Sequence, residues 1–161
     1  MAVFFTSDTH FGDHRALNIH KRPFASVAEM DAILLARWNE AVGAEDEVWH
    51  LGDFARRLAD AAPLLERLNG RKHLVRGNND PAGIEAVHGW ASVCDYYEMA
   101  HEGRSLVLCH YPFRSWNGQH RGAIDLHGHS HGRLKPLPRQ YDVGVDVRNF
   151  RPVTLGRLLE R

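Results

Sequence analysis

The sequence predicts an α/β protein of two packed sheets with helices on the outside. Three observations carry this. Short apolar β-like runs alternate with helical periodicity in the first half, and the second half is mainly short strands and turns. Residues of metal-ligand type follow most of the apolar runs directly, as reactive groups do at the carboxyl ends of strands in open sheets. The length, 161 residues, suits one domain with a buried core and is short for two.

Ala2-Val3-Phe4-Phe5-Thr6 is an apolar run ending in Ser7-Asp8, a buried strand that opens into a functional loop. Ser26-Val27-Ala28-Glu29 has the form of a capping box, and Met30, Ile33, Leu34, Trp38 and Val42 follow at helical spacing. Glu47 to Leu51 is a second strand, ending in Gly52-Asp53. Leu58 to Leu68 carries helical periodicity, with Pro63 near a first turn and Gly70 as the stop. Lys72 to Arg76 is a third strand running into Gly77-Asn78. Val93 to Met99 and Ser105 to Cys109 flank Glu102-Gly103, which reads as a hairpin. Ile124 to His127 and Tyr141 to Val145 are further strands, and Thr154 caps a last helix with Leu155, Leu158 and Leu159. No repeat, low-complexity stretch or linker interrupts the chain, so residues 1–161 are expected to form a single domain.

Lys plus Arg and Asp plus Glu are both 20, so no global positive field draws in a nucleic-acid polymer or a membrane. The two cysteines, Cys94 and Cys109, make no disulfide framework, and Cys109 reads as a small buried hydrophobe. With no signal-type N-terminus and no membrane-length apolar run, a cytoplasmic location is expected.

The chemistry lies in five segments: Asp8-Thr9-His10, Gly52-Asp53, Gly77-Asn78-Asn79-Asp80, His110 and Gly128-His129-Ser130-His131. Carboxylate, imidazole and amide oxygen together suit manganese, iron, zinc or cobalt, and suit neither a Cys-rich structural zinc nor an all-oxygen calcium site. Two such ions about 4 Å apart can bridge a hydroxide and clamp a phosphoryl oxygen for in-line displacement. A carboxylate can bridge them and an imidazole cannot, leaving Asp53 or Asp8 as the bridge. The D-x-H and H-x-H spacings fit an extended segment, on which side chains at i and i+2 point the same way.

These blocks, in this order, resemble the calcineurin-like metallophosphoesterases, with D-x-H, G-D, G-N-H-[ED], H and G-H-x-H. The likeness is closer to the small bacterial phosphoesterases of that superfamily, through Ser7 to Gly12, Arg22-Pro23-Phe24, His50 to Phe54, and His110 through Ser115-Trp116-Asn117-Gly118. The resemblance implies a four-layer α-β-β-α sandwich. It also implies that Asp8, His10 and His131 hold one metal, Asn78, His110 and His129 a second, and that Asp53 bridges. Manganese is the first expectation, with iron, zinc, cobalt or nickel as alternatives.

The sequence departs from that pattern at two places. Asn79 stands where the family usually has a histidine that protonates the leaving oxygen, and Arg56 stands where many members have the aspartate that orients it. Asn79 can donate a hydrogen bond but cannot transfer a proton. Among the other histidines, His50, His73, His88 and His101 read as structural or surface groups. His14, His20, His120 and His127 flank the blocks, and one of them could be a surrogate acid, with His14 the first choice. Arg114 is a candidate phosphate contact, with Arg56 and Arg57 behind it. Trp38 and Trp49 read as core, and Trp116 as a pocket wall.

The expected function is hydrolysis of a small phosphodiester or phosphomonoester by a bridging hydroxide. Asp53 and Asn78 would take part directly, Asn79 and Arg114 would bind substrate, and the usual histidine acid would be missing. The alternatives are a non-catalytic scaffold of the same fold, favoured by the missing His-Asp dyad, and a nuclease, disfavoured by the neutral charge and short length.

Overall fold

The computed structural model describes residues 1–160. In chain order the elements are β1 (Val3–Thr6), α1 (His14–Ile19), α2 (Val27–Ala41), β2 (Glu47–His50), α3 (Leu58–Arg67), β3 (Arg71–Val75), β4 (Trp90–Cys94), β5 (Tyr97–His101), β6 (Arg104–Leu108), β7 (Ile124–His127), β8 (Gln140–Asp142), β9 (Val153–Thr154) and α4 (Leu155–Leu159). Two mixed sheets result, ordered β4-β3-β2-β1-β9 and β5-β6-β7-β8. In the first, β1 to β4 are parallel and β9 runs antiparallel to β1; in the second, β6, β7 and β8 are parallel and β5 antiparallel.

The period-two alternation of the strands sorts the core into layers. Phe5, Trp49 and Val75 from the first sheet meet Leu106, Leu108, Ile124 and Leu126 from the second, with Leu155 and Leu158 of α4. Their neighbours Val48 and Leu74 point outward, under Met30, Leu34 and Trp38 of α2 and Ala61 and Leu65 of α3. Trp38 is fully buried, so Trp38→Ala would cost about 3–5 kcal/mol. Over the second sheet the outer layer is thin, with Val107, Trp116, Ala123 and Phe113 forming a satellite cluster. Trp116 is buried there and donates to the Ala123 carbonyl at 2.9 Å; it does not wall the cavity at the candidate site.

The capping box of α2 is present in a shifted form. Ser26 Oγ accepts from the Glu29 amide, and the Glu29 carboxylate reaches back to the Ala25 amide rather than to Ser26. Pro63 lies inside α3, beyond the first turn where the sequence put it, so the Ala59 carbonyl loses its i→i+4 donor. The predicted run from Val93 to Met99 divides between sheets, with β4 closing the first and β5 opening the second. Asp95, at the crossover, is gripped by Arg76 at 2.7 and 2.9 Å. Glu102 and Gly103 both take positive φ, the backbone of a two-residue type I′ hairpin turn. The strand expected to reach Val145 stops at Asp142, because Gly144 bridges to Ser7 and a 3-10 turn starts at Val145. Among the described residues no helix is long and apolar enough to cross a membrane.

Candidate metal centre

Asp8, Asp53, Asn78, His110 and His129 follow β1, β2, β3, β6 and β7, so both sheets deliver side chains to the same end of the sandwich. Backbone bonds tie the turns together: the Asp8 amide donates to Gly52 O at 2.9 Å and His10 to Asp53 O at 3.0 Å. Asp80 caps the arrangement, accepting the amides of Asp53, Phe54 and Gly77. Asp8, His10, Asp53, His129 and His131 all have φ between 47° and 67°. These are left-handed conformations that non-glycine residues rarely adopt and that collect at functional sites. The D-x-H and H-x-H segments are therefore tight turns and not the extended segments expected. The glycines make room: a Cβ at Gly128 would land on Ser7 Oγ, and one at Gly77 on Asp53 Oδ1.

The structure brings all seven sequence-derived candidates together. Asp53 Oδ2 lies 3.5 Å from His10 Nε2 and 3.6 Å from His110 Nε2, between the two histidine groups. On one side, Asp8 Oδ1 is 3.8 Å from His10 Nε2 and 3.6 Å from His131 Nε2. On the other, Asn78 Oδ1, His110 Nε2 and His129 Nδ1 form a triangle with edges of 3.0, 3.1 and 3.2 Å. Nearly right-angled ligands at about 2.1 Å from one ion would give edges of about 3 Å.

Hydrogen-bond direction gives a test of whether these residues fit a cation. His110 Nδ1 lies 2.7 Å from the Leu51 carbonyl, which only accepts, so that nitrogen carries the proton. In the neutral ring Nε2 is then bare, yet it faces the acceptor oxygen of Asn78 at 3.0 Å. His131 repeats this: Nδ1 donates to Asp146 Oδ2 at 2.7 Å, and Nε2 is turned toward Asp8 Oδ1. Asp8 Oδ1 and His10 Nε2 are buried and have no hydrogen-bond partner among the described residues. Lone pairs facing one another in a buried site are costly unless a cation lies between them. The donor set fits divalent metal.

Burial dominates the electrostatics. It pushes the Asp8 carboxyl up to about 6, against the lowering pull of His110 and His131. It pushes His10 down to about 4, against the raising effect of Asp53. Burial alone would raise Asp53 too, but His110, both hydrogen bonds from Asn79 and His10 outweigh it and hold that carboxyl below its usual range. Asp53 is thus kept as a carboxylate, the form that binds metal.

The neighbouring groups correct several expectations. A cavity of about 450 Å³ opens on His10, Asp53, Asn79, His129 and His131, with His20, Arg133, Ile19 and Leu134 around it. Asn79 lines it, but its backbone and side-chain amides both donate to Asp53, at 2.8 and 2.9 Å. Arg114 is exposed and does not line the cavity; the arginine at the rim is Arg133. His14, first choice among the flanking histidines, is exposed on α1 and absent from the lining, whereas His20 stacks on His131 with ring centroids 3.5 Å apart. Nothing in the sequence ranked His20 above His14, because α1 and its turn were not anticipated. Arg56 pairs with Asp13 at 3.1 Å. His50, read as structural, is fully buried and holds the Asp53 turn: Nδ1 accepts from Gly52 N and Nε2 faces Thr9 Oγ1. Asp146 was not found from sequence at all.

Residues 1–142 match the calcineurin-like phosphoesterase superfamily domain. An uncharacterized protein of Methanocaldococcus jannaschii is 30% identical over 168 residues, covering 98% of this chain and 89% of that protein. The gene 66 protein of mycobacteriophage D29 is 34% identical, covering 90% of this chain and 88% of that one. A crystal structure of an Aquifex aeolicus protein of unknown function superposes with a TM-score of 0.76 at 22% identity, over 96% of both chains, which supports the fold. The two-sheet sandwich with histidines and carboxylates gathered at its strand ends thus has a class, the metallophosphoesterase fold. The chain belongs to the calcineurin-like phosphoesterase superfamily.

Proposed function

We propose that the protein is a phosphoesterase using two divalent metal ions, manganese first among them. Asp8, His10 and His131 would hold one, Asn78, His110 and His129 the other, and Asp53 would be shared. The observation that carries this reading is the pair of histidines, His110 and His131, whose Nδ1 protons are committed to acceptors while their bare Nε2 atoms face further acceptors. When bound, the ions polarise a phosphoryl oxygen and generate a nucleophile from water at neutral pH.

The chain's own residues do the rest. Asn79 holds Asp53 by two donated hydrogen bonds and stands at the cavity, where its amide can meet a phosphoryl oxygen. Arg133, in place of Arg114, supplies a cation at the rim, and exposed Ile19 and Leu134 offer apolar surface to the organic part of the ester. No proton donor stands at position 79. General acid catalysis contributes about 10²–10⁴-fold, so losing it at this position, unless the cavity-lining His20 serves instead, favours substrates with acidic leaving groups and leans the reading toward diesters.

The test is metal analysis of the purified protein, with assays of aryl and alkyl phosphomonoesters and diesters, and Asp53→Asn as control. Aryl esters should turn over well ahead of alkyl esters, and Asp53→Asn should be slowed on the order of 10³-fold. Equal rates for the two leaving groups would remove the missing-acid argument. Two bound metals without turnover of any ester would favour a scaffold role.

A further inference from the structure

Arg22 is an unusual group to find beside a cation site. Its side chain is fully buried and every nitrogen is engaged. Nη1 donates to the Thr9 carbonyl at 2.8 Å and Nη2 to the Asp8 carbonyl at 2.6 Å, inside the turn that carries two candidate ligands. Nε and Nη2 fork onto the two oxygens of Asp146 at 2.9 and 3.0 Å. The Asp146 oxygen shared with Nη2 also accepts the His131 Nδ1 proton at 2.7 Å. His20, two residues before Arg22, stacks on the His131 ring. Four segments distant in sequence meet here: the β1 turn, the loop after α1, the β7 turn, and the 3-10 turn that follows β8.

We propose that Arg22 and Asp146 are positioning residues for the metal centre, fixing the tautomer and direction of His131 and locking it to the Asp8–Thr9 turn. This rests on the reading of Asp8 and His131 as ligands of one ion. A carboxylate on the far nitrogen of a ligating imidazole sets which nitrogen is bare and raises its basicity. The bidentate guanidinium then stops Asp146 from turning its charge onto the metal itself, because both its oxygens are already committed. Arg22 also satisfies two carbonyls of a left-handed turn that regular structure leaves unpaired. Lysine could neither fork onto Asp146 nor reach both carbonyls, so Arg22→Lys is not a mild change here. Breaking a buried pair leaves an uncompensated charge, so folding of each variant is checked by its melting curve.

Two measurements decide the proposal. The first needs no metal: nitrogen chemical shifts of His131 in the metal-free protein, with alkaline buffer keeping the ring neutral. The Nδ1-protonated tautomer is expected in the native chain and a tautomer mixture in Asp146→Leu. The Nε2-protonated form in the native chain would overturn the proposal. The second is calorimetric titration with Mn²⁺ of the native chain, Asp146→Asn and Arg22→Lys. One of two binding steps should weaken by about 10–100-fold in each variant, the other holding within a few-fold. Folded variants with unchanged affinities would overturn it. If the native chain takes up no metal, the two-metal reading fails. The tautomer measurement still decides what Arg22 and Asp146 do to His131.

Discussion

The two groups of candidate ligands occupy one bed of strand ends but are held in different ways. Asp8 and His10 are buried, and His131 is tied through Asp146 to the buried Arg22. Across Asp53, only His110 is buried, secured by the Leu51 carbonyl, while Asn78 and His129 are exposed. Among the described residues, His129 Nδ1 is met only by the other two candidates. A group already fixed loses little freedom on binding, whereas an exposed one must first be ordered. The first group should therefore fill at lower metal concentration than the second.

The largest effect that tests this difference comes from the residue both groups share. Asp53→Asn should weaken both metal-binding steps and lower turnover of an aryl diester by on the order of 10³-fold, the scale of a lost preorganised charge. One undisturbed step would show that the groups do not share it. Next in size is the contrast between single histidines. His131→Ala should abolish the tighter step and His129→Ala only the weaker, affinities changing by at least about 10–100-fold in calorimetry. The opposite order would reverse the assignment of the rigid side.

Metal should also stabilise the fold. Free Mn²⁺ at about 100 times the tighter dissociation constant adds about 2.7 kcal/mol, lost on chelation. His131→Ala should erase most of that gain and His129→Ala little of it. Gly128→Ala should cost about 1–3 kcal/mol in denaturant melts even without metal, since its Cβ lands on Ser7 and Asp8 where nothing can give way. A neutral result would show the rigid side to be looser than its packing implies.

Taken per pH unit, the smallest effect is that of acid. Burial lowers His50 to about 3, so the folded state keeps the neutral ring that accepts from Gly52 N. A depressed histidine contributes fully above its ordinary value of 6.5, and stability falls as the pH drops from there toward 3. The slope is at most about 1.4 kcal/mol per pH unit for one such group. Metal-free melting temperatures should fall on acidification, and less steeply in His50→Gln. Equal slopes would mean that His50 does not hold the Asp53 turn as a neutral ring.

Much of this was legible in the chain. Apolar runs followed by Ser-Asp, Gly-Asp or Gly-Asn located β1, β2 and β3 and the residues beyond them, because a buried parallel strand writes itself as a hydrophobic run and its loop as polar punctuation. Ser26, Thr154 and Glu102-Gly103 marked caps and a turn through local chemistry alone. What escaped was non-local. The partition of Val93–Met99 between sheets depends on which edge each half finds, and both halves carry strand-like residues. The short α1 lacks a periodic apolar face, so His20 could not be placed. Arg22 and Asp146, 124 residues apart, carry no mutual mark in the sequence.

The sequence by itself determined the two-sheet class, the inventory of candidate ligands and the absence of a histidine at position 79, since these are matters of residue type and local period. Only the tertiary structure decided which nitrogen of His110 and His131 turns to the centre, that the candidate-ligand turns are left-handed, that Arg133 and not Arg114 faces the cavity, and that one side of the centre is braced by a buried ion pair. Those properties depend on contacts between segments whose separation the chain does not record. They arise when the two sheets close and bring five turns to one end.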